Sequence, residues 1–429
     1  MGAVSRARQG KSFRSRFRVA LLSAVVRCVV PIAYLSRASA NVTFEICRRL
    51  ASVPFGFRAL AIVWMDQLTG FEKHLLRHGG DGTSHGPRFV GGGQSCAAVR
   101  LPDVGYYIFE DACVAMNASA VILQRSATVI ERALGPDKER YDYAVGPTIA
   151  HDHATAVVWV GTPEPIECGI FLGGNGSANY YHWLAELLTK LEFLPQLPDR
   201  YREYPLLVGE DAIKIPAFRD TLGLFAKGCE VIALSNRAMF DVRRLVYINC
   251  PNNLPFNFRG NQRFGVGYAA TSPQSIAFIR NKALAAAFAT PNTRAYPERI
   301  FLARKNDRRA YNQDEVFECL SKSGFTIIFM EDLDFLEQVR TIQHADVIAG
   351  PSGAAWTNLM FARPGSKGLC WMAEAAGDFS AYSNIAAIVG TDLRYVTFKT
   401  GAVTARQLYR ADYYLDPEDV VAGLEELGV

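Results

Sequence analysis

The stretch that most constrains the fold is residues 344–366, HADVIAGPSGAAWTNLMFARPGS. A short apolar run over 345–349 is followed by the turn sequence GPSG and by an apolar segment that ends before RPG. A β-branched run, a Gly/Pro turn and a helix form one βα unit, the building block of a parallel sheet. The sequence therefore predicts a strand over 345–349 and a helix over 354–361.

The turn of this βα unit is a candidate anion site. The first amides of a helix have no partner within the helix, and the helix dipole is positive there. Glycine at positions 350 and 353 would let a phosphate approach the backbone closely. The alternative interpretation is an ordinary βα turn that binds nothing, as most such turns do.

Length and composition set the class of protein. The chain has 429 residues, so two domains plus an extension are expected. Hydrophobic residues make up 49% and charged residues 21%, which is a globular balance. The net charge of +4 gives no case for nucleic acid as a partner. The nine cysteines form no CxxC pair, so we expect a reducing compartment without a disulfide scaffold or a structural zinc site.

Residues 1–85 are predicted to be a basic, largely helical extension, with helix continuing over 44–78. Residues 5–18 contain six Lys or Arg and no acid, and Arg27 interrupts the apolar stretch that follows. No uninterrupted apolar run reaches the ~20 residues that span a bilayer. Three interpretations stay open: a segment lying on an anionic membrane surface, a secretory signal with the A-x-A site at 38–40, and a disordered tail.

A candidate general base lies in the stretch CGIFLGGNGSANYYHWLAELLTKL, residues 168–191. It predicts a strand, a glycine turn, and a helix with Ser177 as its N-cap. On a helical wheel, Asn179, His182 and Glu186 lie opposite the leucine stripe, so His182 faces either solvent or a cleft. Because a carboxylate one turn later can orient the imidazole and raise its basicity, His182 with Glu186 can act as a base. An idle surface position is the alternative.

Strands and helices alternate over 204–248 and again over 274–361, which predicts parallel sheets with helices on their faces. The strand predicted at 299–303 is followed by a basic cluster that includes Arg304, Lys305 and Arg309. Ligands of open parallel sheets bind outside the carboxyl ends of strands, and guanidinium groups bind phosphate oxygens bidentately. The cluster therefore predicts a phosphorylated ligand, with a solvated surface loop as the alternative.

Two further interpretations concern the same half. Asn312 and Glu315 have the spacing of a capping box. The sequence DLD at 332–334 is interpreted as a loop and helix N-cap rather than a metal site.

Glycines at 79–82 and 91–93 predict a flexible linker. We therefore place a first globular domain at 86–260 and a second at 261–429.

Three stretches together resemble glycosyltransferase family 61, which includes bacterial capsular polysaccharide transferases. They are NYYHWLAELL at 179–188, RIFLARKNDRRAYNQDE at 299–315, and residues 337–366. The resemblance covers roughly residues 165–375. It implies an α/β fold of GT-B type, with two Rossmann-like parallel-sheet domains facing a cleft. The domain at 86–260 would be the acceptor-side domain, and the domain at 261–429 would bind the nucleotide-sugar. It also implies an inverting hexosyl- or pentosyltransferase of surface or capsular polysaccharide synthesis, with no metal and no cofactor.

The resemblance also implies site residues and partners. His182 and Glu186 would be catalytic. The substrate-binding set is Asn179, Arg304, Lys305, Arg309, Asn312, Gly350, Ser352, Gly353, Ala354 and Asn358. The expected donor is a UDP-sugar, and the expected acceptor is a glycan or lipid-linked glycan. The expected location is cytoplasmic, peripheral on the inner membrane if the basic segment binds lipid.

This chain departs from the family pattern at two places. Ser352 stands where the family usually has histidine, and the carboxylate often found soon after the PG pair is absent from residues 368–372. Serine can hydrogen-bond a phosphate oxygen but cannot carry charge. These departures support a second hypothesis, a catalytically inactive GT-B-like scaffold that binds a glycan or a nucleotide.

Overall fold

The computed structural model describes residues 57–123, 127–131, 143–151, 154–255, 264–289, 291–305, 309–402, 405–408 and 410–429. The basic segment and the A-x-A site of the sequence analysis lie outside these residues. Among the residues described, no helix combines the length and the apolar character needed to cross a bilayer.

Two β-sheets and the helices packed on them form the described part of the chain. The strands are β1 Phe57–Trp64, β2 Glu72–Arg77, β3 Gly80–Phe89, β4 Gln94–Leu101, β5 Val104–Val114, β6 Val121–Leu123, β7 Ala127–Ile130, β8 Thr148–His151, β9 Thr155–Trp159, β10 Glu164–Phe171, β11 Leu206–Gly209, β12 Val231–Leu234, β13 Phe240–Ile248, β14 Arg299–Leu302, β15 Thr326–Ile328, β16 Val347–Pro351, β17 Lys367–Ala373 and β18 Asp392–Phe398.

The helices lie mainly between these strands. The α-helices are α1 Tyr180–His182, α2 Asp199–Arg202, α3 Asp211–Lys214, α4 Pro216–Phe225, α5 Pro273–Phe288, α6 Gln313–Lys322, α7 Phe335–His344, α8 Ala381–Val389, α9 Ala405–Leu408 and α10 Pro417–Glu426. A π-helical turn spans Trp183–Leu187. The 3-10 helices are Met65–Gln67, Leu188–Gln196, Val266–Tyr268, Met330–Asp332, Ala354–Phe361 and Glu374–Ala376.

The first sheet is mixed. Its described strands run in the order β12-β11-β10-β13-β5-β6-β7-β1-β9-β8, with β2 paired to β5. Strands β10 to β13 are parallel, but β13 is antiparallel to β5 along its whole length, from Phe240 opposite Val114 to Ile248 opposite Tyr106. The expectation of a parallel Rossmann-like sheet is therefore wrong for most of this sheet; it holds for the β10–β13 part, and β1 also pairs in parallel with β7.

The second sheet is parallel except at one edge. Its order is β15-β14-β16-β17-β18-β3-β4, and only β4 is antiparallel to its neighbour among the described strands. Counted from β14 along the chain, the first five strands have the order 2-1-3-4-5 of a doubly wound α/β sheet. The alternation of strands and helices predicted for the second half is confirmed.

The N-terminal predictions are wrong where the structure describes them. Residues 57–64 and 72–77 are strands rather than helix. Residues 80–101 are no linker but a hairpin of β3 and β4 that extends the second sheet through β18. The partners of these strands, such as β9 and β18, are distant in sequence, so tertiary pairing decides their structure rather than local pattern. The sheets thus cross the predicted domain boundaries.

One continuous apolar cluster joins the helices of both sheets. Trp183 and Leu184 of the π turn belong to the same buried cluster as Trp356 and Leu359 of the 3-10 helix Ala354–Phe361. The two-domain GT-B arrangement with a cleft stays a prediction, because this continuous core neither separates the halves nor defines an opening between them.

Packing between β14 and β16 explains why position 350, in the turn sequence GPSG, is glycine. A Cβ at Gly350 would lie 2.8 Å from Leu302 Cβ and 3.0 Å from the Leu302 carbonyl oxygen. We expect Gly350→Ala to lower the free energy of unfolding by about 1–3 kcal/mol, the usual cost of overpacking. The measurement is urea denaturation followed by circular dichroism.

Gly223→Ala is the matched control, because Gly223 lies on the exposed side of α4 and a methyl group there would meet no atom within 4 Å. This substitution should leave stability unchanged or raise it by about 0.4–1 kcal/mol. Equal denaturation midpoints for the two variants would contradict the packing argument.

Candidate active site

The helical segment that carries His182 changes its geometry twice. One turn of α1 continues into the π turn Trp183–Leu187 and then into the 3-10 helix Leu188–Gln196. Its N-cap is Asn179, whose side-chain oxygen accepts the amide of Tyr181 at 2.9 Å, so the prediction of Ser177 as N-cap is wrong. The three polar residues do not share one solvent face. Asn179 is exposed and precedes the helix as its N-cap, with an extended backbone, whereas His182 and Glu186 are covered.

His182 and Glu186 form a buried pair. The distance between His182 Nδ1 and Glu186 Oε2 is 2.5 Å, and His182 is 7% exposed. The idle surface position is therefore wrong. An ionised carboxylate can only accept, so Nδ1 carries the hydrogen and Nε2 is the nitrogen able to take up a proton. The geometry is that of an oriented base.

A loop after β13 holds this pair in place. Leu254 N donates to Glu186 Oε1 at 2.6 Å. The π turn leaves its carbonyls to side chains: Asn252 Nδ2 donates to Ala185 O at 2.5 Å, and Cys250 Sγ donates to Glu186 O at 3.3 Å. Turns of π type occur frequently at functional sites, and this one needs loop 250–254 to satisfy it.

Behind the loop lies a second charged pair. Cys250 N donates to Glu131 Oε1, and Lys190 Nζ lies 3.9 Å from the same oxygen and 4.7 Å from the centre of the Tyr247 ring. Lys190 is 1% exposed. Burial raises the pKa of the Cys250 thiol, and the carboxylates of Glu186 and Glu131 raise it further, so the thiol stays a neutral donor.

The anion side of the site lies at the topological switch point of the second sheet. Arg304 follows β14 and Ser352 follows β16, which are the two strands from which the chain proceeds in opposite directions. Arg304 Nη2 donates to Ser352 O, and Arg309 Nη2 donates to the same carbonyl at 2.7 Å and to Ser352 Oγ at 3.1 Å. Gln313 fixes the Arg304 backbone through bonds of 2.8 and 3.1 Å. Open α/β sheets bind ligands at this point.

The charges of these two arginines are not balanced by the acids around them. Within the described residues, no carboxylate lies within ion-pair distance of Arg304 or Arg309. Burial lowers the pKa of Arg309, and the neighbouring charge of Arg304 lowers it further. Arg309 also has a left-handed backbone, with φ of 59°, a conformation that clusters at ligand sites. An anion bound here would relieve the repulsion between the two guanidinium groups.

Gly350, Gly353 and Ala354 of the βα turn determine the backbone shape of this site. Gly350 packs on β14, and Gly353 lies beside Arg304, with 3.0 Å between its ideal Cβ position and Arg304 Nη2. Ala354 begins a helix over the predicted residues, but the helix is of the 3-10 type. The predicted strand at this motif is confirmed as β16.

Lys305 and the DLD sequence are engaged with each other at the surface. Lys305 Nζ lies 2.5 Å from Asp332. Asp334 accepts the amide of Glu337 at 2.8 Å and is the N-cap of α7, so the N-cap part of that interpretation is confirmed. The charge of Lys305 is thus already balanced within the protein.

Asn312 and Asn358 bind protein groups. Asn312 makes no capping bond to α6, which contradicts the capping box. Instead its amide group pairs with the backbone of Leu415 through bonds of 2.9 and 3.0 Å. Asn358 is fully buried, 2.8 Å from Tyr180 Oη and 3.2 Å from Gln338 Oε1. Both predicted substrate ligands therefore hold segments of the fold together, and the direct substrate contact remains an untested prediction.

The network around Asn358 brings the two halves of the site together. Tyr180 lies on the turn that carries His182, and Asn358 lies on the helix that follows Ser352. The Tyr181 ring packs edge-on against His182 at 5.6 Å and against Tyr382 at 6.3 Å. The Tyr382 phenol is close enough to Arg309 to influence its pKa. The His182–Glu186 pair and the arginine pair therefore belong to one neighbourhood.

Several residues of this neighbourhood were not predicted as site residues from the sequence. Glu131, Lys190, Tyr382 and Gln313 reach the site from segments whose local patterns predict only core or surface positions. Sequence spacing could have indicated only Gln313, since it directly follows the motif residue Asn312.

We expect Glu131→Ala to lower the free energy of unfolding by about 3 kcal/mol, because it leaves the buried Lys190 ammonium without its counter-charge. It also removes the acceptor of Cys250 N. The measurement is chemical denaturation. Glu110→Ala is the control, since its ion pair with Arg244 is exposed and screened by water, and stability should stay close to wild type. Equal losses in the two variants would contradict a special role for the buried pair.

Comparison with known proteins agrees with this geometry. The family model described as Glycosyltransferase 61 matches residues 180–369, a range that contains His182, Glu186, both arginines and Ser352. Comparison with curated proteins gives no match. The match over residues 180–369 supports membership of glycosyltransferase family 61.

Proposed function

We propose that the protein is an inverting glycosyltransferase that moves a hexosyl or pentosyl group from a nucleotide-sugar to a glycan. The observation that carries this proposal is the arginine pair at the switch point, which shares Ser352 and has no acidic partner within the described residues. Two such cations at a strand end need a ligand with concentrated negative charge, and a nucleoside diphosphate supplies it.

The chemistry assigns a role to each half of the site. In an inverting transfer, a base removes the proton of the acceptor hydroxyl as that oxygen attacks the anomeric carbon. His182 Nε2 takes this proton, while Glu186 holds the ring through Nδ1 and stabilises the imidazolium that forms. Arg304 and Arg309 stabilise the charge that develops on the departing diphosphate.

The transfer proceeds without a metal in this proposal. The two guanidinium groups supply the positive charge that a divalent cation would bring to the diphosphate. The nearby acids are used by the protein: Asp332 binds Lys305, and Asp334 caps α7. The proposed donor is a UDP-sugar, and the proposed acceptor is a glycan or lipid-linked glycan of surface or capsular polysaccharide synthesis. The basic N-terminal segment would hold the enzyme at the inner membrane surface.

A scaffold that binds but does not transfer is the competing function. Serine at position 352 favours it, because serine cannot supply the charge that the usual histidine of the family can carry. The two functions differ in one respect that can be measured, which is sugar transfer by a protein that binds nucleotide.

We expect His182→Ala to lower kcat by about 10²–10⁴-fold, the usual contribution of a general base. Nucleotide affinity should stay within about twofold of wild type, because the arginine pair holds the diphosphate. Activity is measured as release of the nucleoside diphosphate, and affinity by calorimetry. Glu186→Gln is the companion variant, since it keeps the side-chain shape and should lower kcat less. Full activity of His182→Ala would remove the base assignment.

The donor site is tested by thermal shift with UDP, GDP, CMP and their sugars, each with and without EDTA. Binding to the folded state raises the melting temperature. We expect a shift with UDP that EDTA does not change, and an affinity loss of about 1–3 kcal/mol in Arg304→Ala, as for a lost charged hydrogen bond. Lys322→Ala is the control, since Lys322 is exposed on α6 and its ion pair with Glu318 is also exposed, so this variant should bind normally.

Each other outcome of this thermal-shift experiment would contradict one part of the proposal. A shift that EDTA abolishes would contradict metal independence and make Asp332 and Asp334 candidate metal ligands. No shift with any nucleotide would contradict the donor site. Nucleotide binding without transfer would favour the scaffold.

A further inference from the structure

A short C-terminal segment, residues 411–415, is hydrogen-bonded to the chain that follows Arg309. Tyr413 N donates to Ala310 O at 3.1 Å, and Ala310 N donates to Asp412 Oδ1 at 2.8 Å. The amide of Asn312 pairs with Leu415, as described above. These bonds place Tyr413 directly beside Arg309, which precedes Ala310 in the chain.

The Tyr413 ring is held on both faces. It stacks on Phe398 with 3.7 Å between ring centres and on Tyr311 with 5.0 Å, and both pairs are nearly parallel. Tyr311 in turn packs edge-on against Trp371 at 6.1 Å. Tyr413 is 9% exposed. A ring fixed in this way holds its hydroxyl at one position, so the hydroxyl is preorganised.

This hydroxyl lies in a place that is rich in donors and poor in acceptors. Within the described part of the chain, Tyr413 Oη and Trp371 Nε1 are buried and make no hydrogen bond of normal geometry. Trp371 and both arginines can only donate. Burial raises the pKa of Tyr413 to about 12, although Arg304, Arg309 and the Trp371 N–H lower it, so the phenol keeps its hydrogen at neutral pH. A buried hydroxyl without an acceptor is costly and calls for an explanation.

We propose that the Tyr413 hydroxyl donates a hydrogen bond to a phosphate oxygen of the ligand that Arg304 and Arg309 hold. A diphosphate fits because it offers several acceptor oxygens to a group of side chains that offer almost only donors. Tyr413 is then a third protein contact to the donor substrate, contributed by a segment that lies beyond the residues matched by the family. This inference rests on the proposed function of the arginine pair.

Calorimetry with two probes, inorganic pyrophosphate and UDP, tests the proposal on the full chain. We expect Tyr413→Phe to weaken both by about tenfold, as for one lost hydrogen bond to a charged group. Tyr414→Phe is the matched control. Tyr414 is 60% exposed and its hydroxyl donates to Glu315 at 3.0 Å, away from the arginines, so both probes should bind normally.

The melting temperature without ligand gives a second readout. If the Tyr413 hydroxyl has no acceptor in the free protein, Tyr413→Phe should melt at the same temperature as wild type or above it, because an unsatisfied polar atom is removed. A clear decrease, with Tyr414→Phe unchanged, would show an acceptor inside the protein and overturn the proposal.

Arg304→Ala separates the failure of this inference from that of the proposed function. Weak pyrophosphate binding in Arg304→Ala with normal binding in Tyr413→Phe overturns the role of Tyr413 and leaves the anion site intact. Normal binding in both variants, or no binding of either probe to wild type, overturns the anion site and the inference together.

Discussion

The site depends on the convergence of two guanidinium groups on one carbonyl oxygen, that of Ser352. Such an arrangement repels itself, and the fold must hold it. The parallel pairing of β14 with β16 places Arg304 and Ser352 at the same sheet edge. Gly350 lets the two strands approach, and Gln313 fixes the backbone of Arg304. An anion bound beside the two guanidinium groups would reduce their mutual repulsion, and this reduction favours its binding.

The proposed base, His182, is held in the opposite way, since the Glu186 carboxylate beside it has hydrogen-bond partners on both oxygens. The π turn exposes carbonyls that a regular helix would use, and loop 250–254 supplies donors for them. Glu186 therefore has one oxygen on His182 and the other on Leu254. Tyr180 and Asn358 link this segment to the helix after Ser352, so the base and the arginine pair are positioned by one buried network.

Sequence patterns predicted the second sheet well because its strands and helices alternate and are bounded by Gly, Pro and capping residues. They also placed the arginine cluster at a strand end. They failed for residues 57–101, whose strands pair with segments far along the chain. The helical wheel put Asn179, His182 and Glu186 on one face, since it assumed one regular helix, whereas Asn179 is the N-cap and a π turn follows His182. Asn312 and Tyr413 acquire their positions from a pairing between two segments about 100 residues apart, which local pattern does not encode.

The serine at position 352 is compatible with anion binding in this setting. Its carbonyl already accepts from both arginines, and its hydroxyl accepts from Arg309 at 3.1 Å. A histidine there could add a third positive charge beside two that already repel each other. Serine keeps the acceptor and avoids the added repulsion, and the buried Tyr413 hydroxyl and Trp371 N–H are further donor groups near the pair. The departure from the family pattern thus leaves the sign of the site unchanged, because the site stays positive and short of acceptors.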